Sequence, residues 1–356
     1  MNTFEAMGNA AVEKIHTQFL SWFFNSPNDS IPIECKEIIF NGLTGHHSTA
    51  TTYKAICEID NIDIIIMAED EICAIENKLK SREHSNQTTK YIIPEELGNY
   101  KKRYYVFLSL VGDDAENSIW LSKKYSDIHD YFSTAITKID NAKKEYVFIK
   151  EYIDCLNKLN TVFIDFMKNY LQYDNVFSDG SKSKKEKICT YSDEKKDYIR
   201  SNNLETIFQR AFLKMVFQEI IKQYFTMNIG WEISETNGNA LIQIDIDRLN
   251  VNGATFILGI QYQNTAVKIN ARSANYLNSK KDEIAPLLNI FKDYADNSKV
   301  FNKFNPPHQK AYVSISTKIG LQEKSMNEIT EICKNIIPKA MEAENELKKR
   351  ITTAST

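Results

Sequence analysis

Apolar residues recur at helical spacing at the start of the chain. Val12, Ile15, Phe19, Trp22 and Phe23 mark one stripe and predict a helix over residues 9–25, stopped by Pro27-Asn28-Asp29-Ser30. Ile38, Ile39 and Leu43 predict a second, short helix over residues 32–43, after which Gly42, Gly45, His46 and His47 read as a loop. The period then shortens to that of strands. Residues 53–59 form one candidate strand. Two Ile-rich runs follow, Asn61-Ile62-Asp63-Ile64-Ile65-Ile66 and Ala74-Ile75-Glu76-Asn77-Lys78, joined by the acidic turn Ala68-Glu69-Asp70-Glu71, and they predict a hairpin. A helical pattern over residues 82–102, interrupted at Pro94, leads into a strong strand over 104–111. A loop at 113–117 and helices over 125–132 and 146–173 complete this half.

Residues 174–196 change character, and the polar run 178–187 reads as a loop or linker. An amphipathic helix over 204–225 carries Ile207, Phe208, Phe212, Met215, Val216 and Ile220. Four strands follow, over 230–235, 240–247, 255–262 and 266–270. Turns at Thr236-Asn237-Gly238-Asn239, Asn250-Val251-Asn252-Gly253 and Gln263-Asn264 separate them, the first a strong Asn-Gly hairpin signal. Gln243, Asp245 and Asp247 alternate on one face, read as a polar outer sheet face rather than a second acidic site. A helix over 282–295, a strand over 311–316 and a helix over 324–350, broken or kinked at Pro338, end the pattern. The expected organisation is a domain over 1–173, a polar linker or loop over 174–200, and a second α+β module over 201–356.

Composition adds bounds. The 356 residues are 42% hydrophobic and 26% charged, ordinary globular usage and ample for a sizeable core. A formal net charge of -3 means that any nucleic-acid binding must come from local patches. The six cysteines, at positions 35, 57, 73, 155, 189 and 333, form no CxxC pair, which argues against a zinc site. The N-terminal residues show no basic stretch followed by an apolar one, and no run approaches a membrane span. The expectation is a cytoplasmic protein with reduced thiols, with no membrane among its partners. Low Gly and Pro with abundant Lys, Asn, Ile and Tyr suggests an AT-rich bacterial genome.

Chemistry concentrates at the hairpin. Asp63 interrupts an apolar run, where an unpaired carboxylate is costly. In a hairpin Asp63 and Glu76 converge on one side of the sheet, and Lys78, two residues past Glu76, points to the same face. A divalent cation accounts for this set, since hard ions such as Mg²⁺ bind carboxylate and carbonyl oxygen and sit beside phosphates. Lys78 then orients or deprotonates an attacking water, or neutralises charge in the transition state. The bland alternative is a salt bridge on a solvated strand edge. Glu13 and His16 share a neighbouring helix face; spacing alone makes Glu13 an ordinary first-turn carboxylate and His16 a structural hydrogen-bonding group. Glu58 and Asp60 read as a polar strand end, His46 and His47 as a solvated loop, and Lys101-Lys102-Arg103 as a solvated helix end.

This layout resembles the PD-(D/E)XK nuclease superfamily, in which an Asp precedes a hairpin and a (D/E)-x-K triplet lies on its second strand. Here these are Asp63 and Glu76-Asn77-Lys78, with Ile62 where the family pattern often has Pro. Ile75-Glu76-Asn77-Lys78 followed by Asn86-Gln87 and Tyr91 is similar to a branch of bacterial members, as is an early helix reading Glu13-Lys14-Ile15-His16-Thr17. The similarity covers roughly residues 8–135.

The resemblance implies an α/β fold with a restriction-endonuclease-like core, a mixed central sheet flanked by helices, here followed by a C-terminal α+β module with an antiparallel meander. It implies a Mg²⁺- or Mn²⁺-dependent phosphodiesterase, endo- or exonuclease, acting on DNA with RNA left open, in bacterial defence or DNA processing. Asp63, Glu76 and the carbonyl of Asn77 would hold the ion, with Glu13 as an additional metal or water-holding carboxylate. Lys78 would position the nucleophile, and Gln87 would hold Lys78 or a phosphate oxygen. The alternative is a non-catalytic nucleic-acid-binding or protein-interaction module on a nuclease scaffold. The C-terminal module could bind substrate, a protein partner, or a second copy in a homodimer.

Overall fold

The computed structural model describes residues 2–8, 10–81, 83, 87–98, 100–179, 190–225, 230–236, 239–263 and 265–354. The chain divides into two compact units, one of residues Met1–Lys168 and Cys189–Ile207, the other of Asn169–Ile188 and Phe208–Thr356.

The first unit opens with helices α1 (Thr3–Ala6), α2 (Glu13–Asn25) and α3 (Ile33–Thr44). The buried face of α2 is His16, Thr17, Phe19, Leu20, Phe23 and Phe24, so the apolar stripe expected from Val12 is rotated, and Val12 itself is 37% exposed as the N-cap. Gly42 lies inside α3 rather than in the loop; a Cβ there would stand 2.6 Å from the Tyr131 ring, so the glycine lets a neighbouring helix approach closely. Gly45 ends the helix in the left-handed region.

Strands β1 (Lys54–Ile59), β2 (Ile62–Ala68), β3 (Glu71–Lys78), β4 (Lys102–Ser109) and β5 (Leu121–Lys124) form one five-stranded sheet in that order. β1, β2 and β3 are antiparallel neighbours, whereas β3–β4 and β4–β5 are parallel, so the sheet is mixed. Asp60 and Asn61 both have positive φ in the two-residue turn between β1 and β2, the backbone that the twist of a hairpin favours. All eight residues of β3 are buried, because strands flank it on both sides and helices cover its faces.

Among the described residues of the expected helix over 82–102, helix is confined to α4 (Gln87–Lys90) and a 3₁₀ turn at Glu95–Leu97. Pro94 removes a donor and biases the residue before it to extended backbone, and Ile93 and Tyr91 pack against Ile62, Ile65 and Phe107. Asn86 lies outside the described residues. β4 starts inside the expected helix end, where Lys102 pairs with Glu71 at 2.5 Å. The short edge strand β5 carries too few apolar residues to stand out in sequence. Helices α5 (Tyr125–Ala135) and α6 (Lys144–Asn169) follow.

In the stretch expected to be a linker, α7 (Asp174–Asp179) and α8 (Glu194–Ser201) are helical, and residues 180–189 lie outside the described residues. α9 (Glu205–Val216) continues through a π turn at Phe217–Ile221.

The second unit is built on a six-stranded antiparallel sheet. Its strands are β6 (Gly230–Thr236), β7 (Asn239–Val251), β8 (Ala254–Gln263), β9 (Ala266–Ser273), β10 (Lys303–Asn305) and β11 (Tyr312–Lys318), in the spatial order β10-β11-β9-β8-β7-β6. Asn237, Gly238 and Asn264, on which two of the expected turns rest, lie outside the described residues. Helix α10 (Ala285–Asn297) packs on β10 and β11, and α11 (Met326–Ala354) continues through Pro338 without a break. Asp245 and Asp247 do not share a face. A β-bulge between them shifts the register by one residue, so Asp245 pairs with Arg272 at 2.7 Å while Asp247 reaches Lys348 of α11 at 2.7 Å. Gln243, expected on an outer face, is buried. No helix among the described residues is long and apolar enough to cross a membrane.

Candidate active site

The register Ile64↔Ile75 between β2 and β3, carried one residue further, sets Asp63 opposite Glu76, and directly opposed residues of an antiparallel pair share a face. The pair lies near the carboxyl end of β3, where Glu76 still pairs with Phe107 of the parallel strand β4, the end at which open α/β sheets bind ligands.

Lys78 Nζ stands 2.6 Å from Glu76 Oε1, with side chains 8% and 1% exposed. Glu76 Oε2 is buried and has no hydrogen-bond partner among the described residues. Asp63 Oδ2 accepts the backbone N–H of Asn77 at 2.7 Å. Burial, with the Asp63 carboxylate beside it, pushes the Glu76 carboxyl up to about 7 despite Lys78. Burial likewise raises Asp63, against its bond from Asn77. Burial alone would depress the Lys78 ammonium, but the hydrogen bond and charge of Glu76, then Asp63 and Glu13, hold it above its ordinary value. The three carboxylates outnumber the ammonium they surround, so the site has excess negative charge in a half-dry environment.

Asn77 faces the other way and fastens helices to the strand. Its Nδ2 donates to the Glu13 carbonyl at 3.0 Å and to Thr17 Oγ1 at 3.3 Å, and its Oδ1 accepts from the Tyr125 hydroxyl at 2.7 Å. Sequence reasoning attached only the Asn77 carbonyl to the site. A polar residue between two catalytic candidates on a fully buried strand was the available signal, since its side chain had to be bonded inside the core.

Glu13 Oε1 accepts the N–H groups of Leu79, Lys80 and Ser81 at 2.8, 2.9 and 3.2 Å and the Ser81 hydroxyl at 3.0 Å. The carboxylate thus fills the concavity made by successive amides just past Lys78. His16, fully buried, meets the Tyr152 hydroxyl at 3.2 Å through Nδ1 and the Ala10 carbonyl at 3.1 Å through Nε2. A carbonyl only accepts, so Nε2 carries the proton and Nδ1 accepts from Tyr152. Burial lowers His16 to about 4 and keeps it neutral.

Gln87, the first residue of α4, is buried, and its Nε2 donates to the Tyr91 hydroxyl at 3.2 Å. Glu83, which sequence reasoning passed over, ties α4 to the loop at Glu116. Its Oε1 accepts the Thr88 N–H at 2.7 Å and the Thr88 hydroxyl at 2.5 Å, and its Oε2 accepts the Glu116 N–H at 2.8 Å. The Thr88 carbonyl in turn accepts Trp120 Nε1 at 2.7 Å. The structure therefore gathers Asp63, Glu76, Asn77, Lys78 and Glu13, and joins Gln87 to the same sheet through Tyr91 and Thr88. His47 sits apart, against Glu37 at 3.5 Å.

Among the described residues, no group of three or more His, Cys, Asp or Glu side chains is placed to hold a metal ion. Mg²⁺ does not need such a group. It keeps several waters and is held by one or two carboxylates beside substrate phosphate. Asp63 and Glu76, with the unpaired Glu76 Oε2, fit that kind of site.

Residues 51–168 match the family model of the PD-(D/E)XK nuclease superfamily. The matched stretch holds β1 to β5 with Asp63, Glu76, Lys78 and Gln87, and its mixed sheet is consistent with the fold of that superfamily. Glu13, on α2, and the second unit's sheet lie outside the match. No curated protein and no solved structure matches the chain.

Proposed function

We propose that the protein is a divalent-metal-dependent nuclease that hydrolyses phosphodiester bonds in DNA. The observation that carries this reading is the buried, unpaired Glu76 Oε2 beside Asp63, with Lys78 Nζ held 2.6 Å from the other oxygen. An uncompensated buried carboxylate oxygen is costly, and a bound cation would offset that cost.

Asp63 and Glu76, with the Asn77 carbonyl, would hold Mg²⁺ or Mn²⁺, which when bound supplies Lewis acidity to the scissile phosphate and to the attacking water. Lys78, anchored on Glu76, is placed to donate to a phosphate oxygen or to hold the water in line. Asn77 fixes β3 against α2 and α5, and so fixes the directions of the two side chains flanking it. Glu13 acts on the site through Leu79, Lys80 and Ser81, and adds its charge to the ion's surroundings. Gln87, held by Tyr91, is assigned to the substrate phosphate.

The net charge of -3 favours one competing reading, a binding module that keeps the scaffold without turnover. Incubation of the purified protein with linear, circular and single-stranded DNA and with RNA, with Mg²⁺ or Mn²⁺, separates the two. Cleavage that Asp63→Ala and Lys78→Ala each abolish supports the nuclease. A well-folded parent that cuts none of these substrates overturns it.

A further inference from the structure

Lys78 stands among the carboxylates of Asp63, Glu76 and Glu13, and Glu76 already engages its ammonium at 2.6 Å. A polyanionic substrate needs a further cation beside such a site. Strand register shows where one stands. β3 and β4 pair Lys78 with Ser109, and β4 and β5 pair Ser109 with Lys124. Register partners of parallel strands project to one face, so Lys78, Ser109 and Lys124 form a row at the carboxyl ends of three neighbouring strands. Two strand spacings put the Cα atoms of the two lysines about 10 Å apart.

An exposed lysine is usually no more than solvated, but Lys124 is seated. It ends β5 and caps α5, its N–H donating to Asp127 Oδ2 at 2.8 Å. Its side chain runs over Gly112, in the turn after β4. A Cβ at Gly112 would stand 2.7 Å from Lys124 Cε and 3.5 Å from Nζ, and the turn needs a left-handed φ of 70°. Glycine meets both demands. The packed stem leaves less freedom to lose when the ammonium is fixed by a ligand. Lys124 is nonetheless exposed, and among the described residues no carboxylate lies within ion-pair distance of its ammonium. Lys123, on the opposite face, is engaged otherwise: its Nζ donates to the Tyr131 hydroxyl at 3.2 Å and lies 5.7 Å from that ring's centre. The loop after Gly112 carries acids, but it runs back toward the amino end of β5. The Asp113 N–H donates to Ser109 Oγ at 2.7 Å and the Ala115 N–H to Ser122 Oγ at 3.1 Å, so Asp114 and Glu116 follow the strand away from Lys124.

We propose that Lys124 binds a backbone phosphate of the substrate strand flanking the one at Asp63 and Glu76, so that the strand crosses the carboxyl ends of β4 and β5 above the Gly112 turn. The inference rests on the nuclease reading and deepens it. A second phosphate contact at this spacing favours a polynucleotide over a lone phosphate ester. Contacts to phosphate position a strand without reading its bases, so this one is independent of sequence.

The test measures anisotropy of short labelled single-stranded and duplex DNA and of RNA with the full chain, in EDTA, over a range of salt, and the KM and kcat of cleavage in Mg²⁺. The parent is compared with Lys124→Gln, with Lys124→Arg, which keeps the charge, and with Lys150→Gln, which removes one charge from an exposed pair with Asp154 on α6. Lys124→Gln is expected to bind about three- to tenfold more weakly, with a log–log salt slope shallower by about 0.7–0.9, the amount for one phosphate contact. KM should rise by a similar factor while kcat holds. Lys124→Arg keeps the parent slope, and Lys150→Gln changes neither affinity nor slope. Should Lys124→Gln fold poorly, Lys124→Met keeps the stem over Gly112 without the charge and is expected to show the same loss. Equal affinity and slope for the parent and the uncharged variants overturn the inference, and if the parent still cleaves in Mg²⁺ the nuclease reading survives. An equal loss in Lys150→Gln assigns the effect to net charge, and a fall in kcat at unchanged KM assigns it to the fold or the chemistry; either overturns the inference. A parent that neither binds nor cuts any nucleic acid removes both readings.

Discussion

The Tyr125 hydroxyl donates to Asn77 Oδ1 at 2.7 Å, and through that bond α5 holds β3 from the side opposite the Asp63 and Glu76 carboxylates. Tyr125→Phe removes the donor and leaves a buried amide oxygen unpaired. It is expected to destabilise the first unit by about 1–3 kcal/mol, read from chemical denaturation. Under the nuclease reading, cleavage should fall with less change in metal affinity, because Asp63 and Glu76 are untouched.

Glu13 holds the three amides that follow Lys78. Glu13→Ala deprives them of their acceptor, and cleavage should drop by at least about tenfold. Glu13→Gln keeps an acceptor oxygen without the charge and should recover part of the loss. Equal activity of Ala and Gln variants with the parent would show that the segment holds its place unaided.

Metal should stabilise the folded protein. A ligand present at about 100 times its Kd adds roughly 2.7 kcal/mol, so Mg²⁺ or Mn²⁺ should raise the thermal midpoint of the parent and EDTA should restore it. Asp63→Asn and Glu76→Gln are expected to lose that rise. A midpoint indifferent to metal in the parent counts against Asp63 and Glu76 as ligands.

His16 makes stability depend on acid. Burial lowers it from an ordinary 6.5 to about 4, so between these values the unfolded chain binds the proton and the folded one does not. Stability is therefore lost as pH falls through this window, by up to about 3 kcal/mol. The difference between parent and His16→Gln, measured by urea unfolding at pH 7 and pH 4.5, should shrink at the lower pH.

Glu344 has the opposite sign. Burial, then Asp247, raises its carboxyl from 4.5 to about 7. The folded state keeps the proton that the unfolded state releases, so stability falls as pH rises from 4.5 to 7. Glu344→Gln should stabilise the second unit at pH 8, by up to about 3 kcal/mol, and should have little effect at pH 4.5.

The hairpin and its three charged residues were legible in the sequence because their placement is local. Alternation at period two puts Glu76 and Lys78 on one face, and two short turns bring Asp63 opposite. The segment after β3 was less legible. Helical propensity over 82–102 is weak against Pro94 and against the burial of Tyr91 and Ile93 on the sheet.

By itself the sequence determined the strand runs other than the short edge strands β5 and β10, and the pairing of Asp63 with Glu76, since each follows from spacing along one or two neighbouring strands. The tertiary structure decided that Glu13 closes on residues 66 to 68 positions away, that the Asn77 side chain is a fastening rather than a bystander, and that a bulge parts Asp245 from Asp247. These depend on side chains meeting across distant segments, and on one extra residue in a strand, which local periodicity does not encode.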